Sequence, residues 1–304
     1  MKMPDFFHVD VFASGPLTGN GLAVFLDADG WTARTMLQLT MEMRQFESIF
    51  LSEITSTGAR ARIFTMDEEL PFAGHPALGA AAVLHRIRNA DVASCSWVLQ
   101  LACGDVPVRT SMRNNHHHAE MEQNVSHVGE ELGSKQLQPI LASLGLECRH
   151  IACNPGARVI STGLPYLVIP VRPEGLQRAA ISGGDFERLL SVHGAKFVLL
   201  LDIESREVRT WDNLGRVEDV ATGSAAGPAA TFLYEFALAD PKQPIELAQG
   251  RFAGRPSRLS ITRVSSTGFL VSGEVWPVGH GFLDPNVLNV LEVRNSPLSS
   301  KQTA

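Results

Sequence analysis

The chain has 304 residues, of which 44% are hydrophobic, and a formal net charge of −6 at pH 7. This length favours two domains over one, and the acidic balance gives no reason to expect nucleic acid or an anionic membrane as a partner. No apolar run approaches membrane-spanning length and no signal peptide is evident, so a cytoplasmic protein is expected. The four cysteines lack C-x-x-C spacing, and no disulfide framework is predicted.

Short apolar runs bounded by Gly, Asp, Ser or Thr predict the strands of the first half. These runs are residues 9–12, 22–26, 48–51, 60–64 and 97–101. Residues 32–46 have helical spacing instead, and Thr32 is placed to cap that helix. Glu47 is therefore expected where a helix gives way to a strand.

The chain turns polar and glycine-bearing at residues 125–133, which predicts a boundary between two lobes near residues 120–130. The predicted lobes are residues 1–125 and 126–304, and it stays open whether a C-terminal strand completes the first lobe. The second lobe is expected to carry helices at 131–144, 185–192 and 225–236, and strands at 157–161, 166–171, 197–202, 259–264 and 268–275. An extension without assigned function begins at about residue 282.

Two segments, residues 69–76 and 219–228, resemble each other. Each is a polar turn that leads into a helix of small residues, so the chain has the pattern of an internal duplication with a cleft between its halves. The first turn of a helix has backbone N–H groups without intrahelical partners and a positive potential. Two such helix starts predict a site for a small anion, either a carboxylate or a phosphate.

Six ordered segments resemble motifs of the PhzF-type phenazine-biosynthesis isomerase family: residues 19–25, 42–50, 69–76, 161–166, 219–228 and 254–257. The resemblance implies an α+β, diaminopimelate-epimerase-like fold. In that fold, two pseudo-symmetric lobes each wrap a mixed, β-barrel-like sheet around a central helix, and the active site lies between them. It also implies a homodimer, no metal or organic cofactor, and a small carboxylate substrate. The type enzyme of the family isomerises trans-2,3-dihydro-3-hydroxyanthranilate by moving a proton between carbons.

The resemblance assigns roles to seven residues of this chain. The implied catalytic residues are Glu47, His75 and Asp219, and the implied substrate-binding residues are Asn20, Gly74, Gly223 and Ser224. One carboxyl group can remove and return a proton if burial raises its pKa, which makes Glu47 the candidate shuttle. A histidine and an aspartate near the cleft could hold developing charge or orient an amino group.

The chain departs from the family pattern around these positions. It has Arg44-Gln45-Phe46 where Asn-Leu-Ser is common, and it has Gly21 and Val220 where proline is usual. These differences leave the substrate open. An amino-acid epimerase or racemase, with Glu47 and Asp219 on opposite faces of the α-carbon, and a catalytically silent binding protein are the alternatives. No cysteine lies in either helix-start motif, which argues against thiol-based racemisation.

Each assignment also has a purely structural interpretation. Glu47 could be a solvated residue at a helix end, His75 a helix-capping residue, and Asp219 and Ser224 elements of a turn and its cap. The run His116-His117-His118 is not expected to bind metal, because consecutive histidines on a strand cannot all face one ion and the polar residues 113–115 predict an exposed loop. The glycine-rich turns match neither G-x-G-x-x-G nor a P-loop, so no nucleotide site is predicted.

Overall fold

The computed structural model describes residues 5–124, 127–152, 154–182, 184–215, 217–266, 268–284 and 286–287. These residues form sixteen strands, six α-helices and a single 3₁₀ turn at Cys148–His150. The strands are β1 Asp5–Val11, β2 Asn20–Phe25, β3 Glu47–Ser52, β4 Gly58–Phe64, β5 Glu69–Leu70, β6 Ser94–Leu101, β7 Gly104–Arg113, β8 His116–Asn124, β9 His127–Glu131, β10 Arg158–Ser161, β11 Pro165–Val171, β12 Phe197–Asp202, β13 Glu207–Arg209, β14 Ile245–Gln249, β15 Ser257–Arg263 and β16 Gly268–Phe282. The helices are α1 Ala33–Met43, α2 Gly74–Arg88, α3 Ser134–Ser143, α4 Pro173–Arg178, α5 Phe186–Ser191 and α6 Gly223–Glu235.

Seven strands from the first half of the chain, together with β16 from its C-terminal part, form a closed barrel around helix α2. Its strand order is β1-β2-β3-β4-β6-β7-β8-β16, and β16 returns to pair with β1. Helix α2 is buried from Gly74 to His85, which its small residues permit. At Gly79, an added Cβ would lie 2.4 Å from Leu22 Cδ2, so the sheet approaches this helix as closely as a glycine allows.

The second half repeats this plan around helix α6. Strands β15, β14, β13, β12, β11, β10 and β9 follow β16 in the sheet, and α6 packs against β10, β11, β12, β15 and β16. Helices α3, α4 and α5 cover the other face of this sheet, where their apolar residues form a separate core. The fold is therefore the expected α+β arrangement of two pseudo-symmetric lobes, each with a mixed sheet around one central helix.

Strand β16 belongs to both sheets. Its first part, from Gly268 to Val275, pairs with β8, and part of that segment also pairs with β15 of the second half. Its second part, from Val275 to Phe282, pairs with β1 of the first half. One continuous strand thus joins the two lobes.

Several predicted elements differ from the structure for local reasons. Thr32 caps α1 as expected, through a 3.1 Å bond from Thr35 N to Thr32 Oγ1. The helix stops earlier than predicted because Arg44 adopts the left-handed conformation, with φ of 52°. The helix predicted to begin at residue 131 begins at Ser134, because Glu131 belongs to strand β9.

The exposed loop predicted at residues 113–115 is present as an exposed turn at Asn114 and Asn115, but the three histidines that follow do not belong to it. These histidines begin β8, which forms a hairpin with β7, so their side chains alternate between the two faces of the sheet. His117 is buried, whereas His116 and His118 both face Glu274 on β16. His116 Nε2 lies 3.0 Å from Glu274 Oε2, and His118 Nδ1 lies 3.1 Å from Glu274 Oε1. Within the described ranges, no three His, Cys, Asp or Glu side chains are grouped so that they could hold a metal ion.

The predicted extension from about residue 282 lies largely outside the described residues, which end at 287. Among the helices that the structure describes, none has both the length and the apolar character needed to cross a membrane.

Candidate active site

The two central helices begin face to face between the lobes. A Cβ added to Gly74, the first residue of α2, would lie 3.5 Å from the Cα of Gly223, the first residue of α6. Neither N-cap residue, Ala73 or Thr222, caps its helix through a side-chain hydrogen bond. The backbone N–H groups of both first turns therefore meet in one small region, which is the arrangement that binds anions.

Glu47 and His75 lie together beside these helix starts. Glu47 is the first residue of β3 and His75 is the second residue of α2, and Glu47 Oε2 is 3.5 Å from His75 Nδ1. Both side chains are more than nine-tenths buried. Among the described residues, Glu47 Oε2 and His75 Nε2 have no hydrogen-bond partner. Buried polar atoms are normally paired, so both atoms are available to a bound molecule.

Burial controls the protonation of both side chains. It raises the pKa of Glu47 to about 8, and the negative charge of Asp219 adds to this effect. Burial also lowers the pKa of His75 to about 3. Near neutral pH, Glu47 is therefore mostly protonated and His75 is neutral, so their contact is not an ion pair.

Asp219 is buried and accepts several hydrogen bonds. Asn20 Nδ2 donates to its Oδ1 at 3.0 Å, Ala221 N donates to the same oxygen at 3.3 Å, and the Thr222 hydroxyl donates to Oδ2. Burial raises the pKa of Asp219 above its ordinary value, and these hydrogen bonds counteract part of that rise. Because Asn20 begins β2 in the first lobe, its amide ties the two lobes together at this carboxylate.

Ser224 Oγ lies 2.8 Å from the hydroxyl of Tyr166, a buried residue of β11. Burial raises the pKa of Tyr166, so its hydroxyl stays protonated. Gln123 of β8 donates a 3.0 Å hydrogen bond from Nε2 to the carbonyl of Gly223. All seven predicted site residues therefore lie at or beside the paired helix starts.

The sequence assigned no role to Tyr166, Gln123, Thr222 or Gln249. Tyr166 lies within one of the recognised motifs and Thr222 within another, so both could have been proposed. Gln123 and Gln249 lie in strands, far along the chain from the groups they bind, and no local pattern indicates them.

An open cleft of about 620 Å³ adjoins the site. Its lining includes Phe72 and Val106 from the first lobe, Leu164 from the second, and Met121. Met121 also touches the helix start, because a Cβ on Gly74 would lie 2.8 Å from Met121 Cε. Carboxylates line the cleft as well, among them Asp105 and Glu122.

Two lobes, each with a sheet around a central helix, and buried carboxyl groups beside paired helix starts define a class of protein equipped for acid–base chemistry. Comparisons with known proteins show the family to which the chain belongs. The family model described as "Phenazine biosynthesis-like protein" (PhzC-PhzF) matches residues 9–281. The chain therefore belongs to the PhzF family, and it is an isomerase of that family.

Individual relatives support the same conclusion. The chain is 30% identical to the trans-2,3-dihydro-3-hydroxyanthranilate isomerase of Pseudomonas aeruginosa over 92% of its own length and 100% of that protein. A solved structure of a predicted epimerase from Pseudomonas aeruginosa has a TM-score of 0.86 and 46% identity, covering 92% of this chain and 98% of that one. A PhzF-family protein from Bacillus anthracis, 23% identical, shares the fold with a TM-score of 0.77 over 93% and 100% of the two chains.

Proposed function

We propose that this protein is a cofactor-independent isomerase that moves a proton between carbons of a small amino- or hydroxy-carboxylic acid. The observation that carries the proposal is Glu47, a carboxyl group with its pKa raised to about 8 beside two helix starts. Such a group changes its protonation state near physiological pH, as a proton shuttle must.

The substrate carboxylate would bind where the two helices begin. Gly74 and Gly223 leave room for an anion to approach the backbone N–H groups, and the Ser224 hydroxyl adds a donor. This placement fixes the reacting carbon of the substrate relative to Glu47.

The ionised form of Glu47 would then remove a proton from carbon, and the electron pair of the broken C–H bond would enter the conjugated system of the substrate. The protonated Glu47, whose carboxyl proton can exchange with solvent, would return a proton to a different carbon as the double bond shifts. No atom is gained or lost, and the carboxylate is regenerated. Asp219 and the free Nε2 of His75 would orient the amino or hydroxyl group of the substrate through hydrogen bonds.

The substrate of the Pseudomonas aeruginosa relative, trans-2,3-dihydro-3-hydroxyanthranilate, is the first compound to test. NMR in D₂O would follow loss of the diene and deuterium uptake at carbon, with the wild type, Glu47→Gln and the control Glu53→Gln. Glu53 is exposed and pairs with Arg60, so its variant should keep wild-type turnover. Glu47→Gln should lose at least about a hundredfold in rate, the usual contribution of a general base. Full turnover by Glu47→Gln would refute the shuttle assignment.

A second candidate is epimerisation, because the structural relative with 46% identity is described as a predicted epimerase. Glu47 and Asp219 would then stand on opposite faces of an α-carbon. Scrambling of stereochemistry with α-deuterium uptake, without migration of a double bond, would select this reaction. The homodimer and the cytoplasmic location stay predictions, to be checked by light scattering and cell fractionation.

A further inference from the structure

Gln249, the last residue of β14, lies against the turn that carries Asp219 and is 1% exposed. Its Nε2 donates to the backbone carbonyl of Asp219 at 2.8 Å and to Thr222 Oγ1 at 2.9 Å. Its Oε1 accepts from the backbone N–H of Thr222 at 3.0 Å. Every polar atom of this amide is therefore engaged by residues 219–222.

The two backbone contacts determine which way the Gln249 amide faces. A carbonyl oxygen can only accept and a backbone N–H can only donate, so the NH₂ group must face Asp219 O and the oxygen must face Thr222 N. The reversed amide would place two acceptors together and two donors together. Gln249 therefore always presents a donor to the hydroxyl of Thr222.

This donor in turn determines the direction of the Thr222 hydroxyl. A hydroxyl has a single hydrogen, which cannot point at the NH₂ donor of Gln249 and is therefore left for its other hydrogen-bonded neighbour. That neighbour is Oδ2 of Asp219. The Oδ1 atom already accepts from Asn20 and from Ala221 N. Both carboxyl oxygens thus act as acceptors, which is the hydrogen-bonding pattern of an ionised carboxylate.

We propose that Gln249 is a positioning residue that, by turning the Thr222 hydroxyl toward Asp219, keeps Asp219 ionised while its neighbour Glu47 carries the mobile proton. Of the two buried carboxyl groups, Asp219 therefore carries a fixed negative charge and Glu47 carries an exchangeable proton. The other groups facing this pair do not supply a charge, since His75 from α2 is neutral, Tyr166 from β11 is protonated, and Asn20 from β2 is an amide.

The role of this fixed charge in catalysis rests on the proposed function, but the protonation state can be measured without turnover. We would label the aspartates with ¹³C at the carboxyl carbon, assign Asp219 with Asp219→Asn, and follow its chemical shift against pH. In the wild type, Asp219 should titrate well below Glu47. Thr222→Val should raise the Asp219 midpoint by about one pH unit, because a hydrogen bond to the charged form is lost. Thr222→Ser, which keeps the hydroxyl, should retain the wild-type midpoint.

Gln249→Met should raise the same midpoint in the wild type but add little in the Thr222→Val background, because Gln249 acts through Thr222. The matched control is Thr231→Val, which removes another buried hydroxyl of α6 that bonds only to Gly227 O at 2.8 Å among the described contacts. It should leave the midpoint unchanged. An equal effect of Gln249→Met in both backgrounds, or no effect in the wild type, would overturn the proposal.

Should Gln249→Met not fold, the side-chain NH₂ resonances of Gln249 in the wild type give an independent measurement. The NH₂ protons should be protected from exchange with D₂O, and their chemical shifts should change with pH at the same midpoint as the Asp219 carboxyl carbon. Rapid exchange of these protons would contradict the geometry. A normal Asp219 titration in a protein that shows no Glu47-dependent proton transfer would refute the proposed function and leave this inference intact.

Discussion

Glu47 works as a shuttle only if its carboxyl group is ionised when it removes a proton. Because burial and the charge of Asp219 raise its pKa to about 8, the rate of proton abstraction should rise with pH through about 8 and level off above it. Measuring kcat/KM from pH 6 to 10 checks this. A rate that is flat across this range would show that another group is the base.

The same pKa predicts an effect of Glu47 on stability. The folded protein retains the Glu47 proton up to about pH 8, whereas the unfolded chain loses it near the ordinary value of 4.5. Between these values the native state binds more protons than the unfolded state, so this residue lowers the free energy of unfolding as pH rises.

Glu47→Gln lacks this ionisation. Relative to the wild type, its free energy of unfolding should therefore increase from pH 5 to pH 8 and stay constant beyond. Urea unfolding at several pH values checks the difference, and a constant difference at all pH values would contradict it. Glu53→Gln again serves as control, since Glu53 is exposed.

At the level of residues, the sequence predicted seven site residues, which the structure places close together, because they lie in short segments that resemble family motifs in the same order. Their roles stay predictions. The sequence did not predict their states. The pKa of Glu47 depends on burial by the barrel and on Asp219, which lies in the other lobe. Gln249 could not be predicted for a similar reason, because it reaches the turn of Asp219 from a strand 30 residues further along.

At the level of elements, the meeting of α2 and α6 predicts a strict size limit at Gly223. An added Cβ would lie 3.2 Å from Phe12 Cζ and 3.6 Å from the Cα of Gly74, so Gly223→Ala places a methyl group between the two helix starts. The variant should raise KM by about tenfold or more, with a smaller change in kcat, because the methyl group would obstruct the proposed binding site of the substrate carboxylate.

Steady-state kinetics on the substrate identified by the D₂O experiment measures this effect. Gly279→Ala is a suitable control, since an added Cβ there meets nothing within 4 Å. If Gly223→Ala retained the wild-type KM, the carboxylate would have to bind elsewhere.

Helices and apolar strands followed from sequence periodicity more readily than the β7–β8 hairpin did. The inward face of β8 carries the polar residues His117 and Gln123 as well as the apolar residues Ala119 and Met121. The strand therefore lacks the alternation of apolar and polar residues that would predict it from the sequence. The register is set instead by pairing with β7 and β16, which lie on either side. Such strands are defined by their neighbours and not by their own pattern.

At the level of the whole molecule, β16 predicts cooperative unfolding. One strand contributes to both sheets, so neither lobe can lose it and keep its own pairing intact. Single-tryptophan variants that retain either Trp97, buried in the first barrel, or Trp211, in the second core, should show the same denaturant midpoint. A clearly lower midpoint for Trp211 would show that the second lobe unfolds by itself.

The sequence did not determine whether a C-terminal strand, now seen to be β16, closes the first barrel. Strands β1 and β16 lie at opposite ends of the described chain, and no local signal connects residues so far apart. Duplication of the helix starts indicated two lobes, but it contained no information about the strand that they share.

The approach of Gly74 and Gly223 has a consequence for how the two halves hold together. The start of each helix is the positive pole of a dipole, and here two positive poles lie so close that a Cβ added to Gly74 would be 3.5 Å from the Cα of Gly223. Like poles repel, so cohesion between the lobes is electrostatically weakest at this contact. In the binding mode proposed above, a substrate carboxylate would be attracted by both poles and would act as their counter-charge. Affinity for the substrate and attachment of one half to the other would then be two measures of the same interaction.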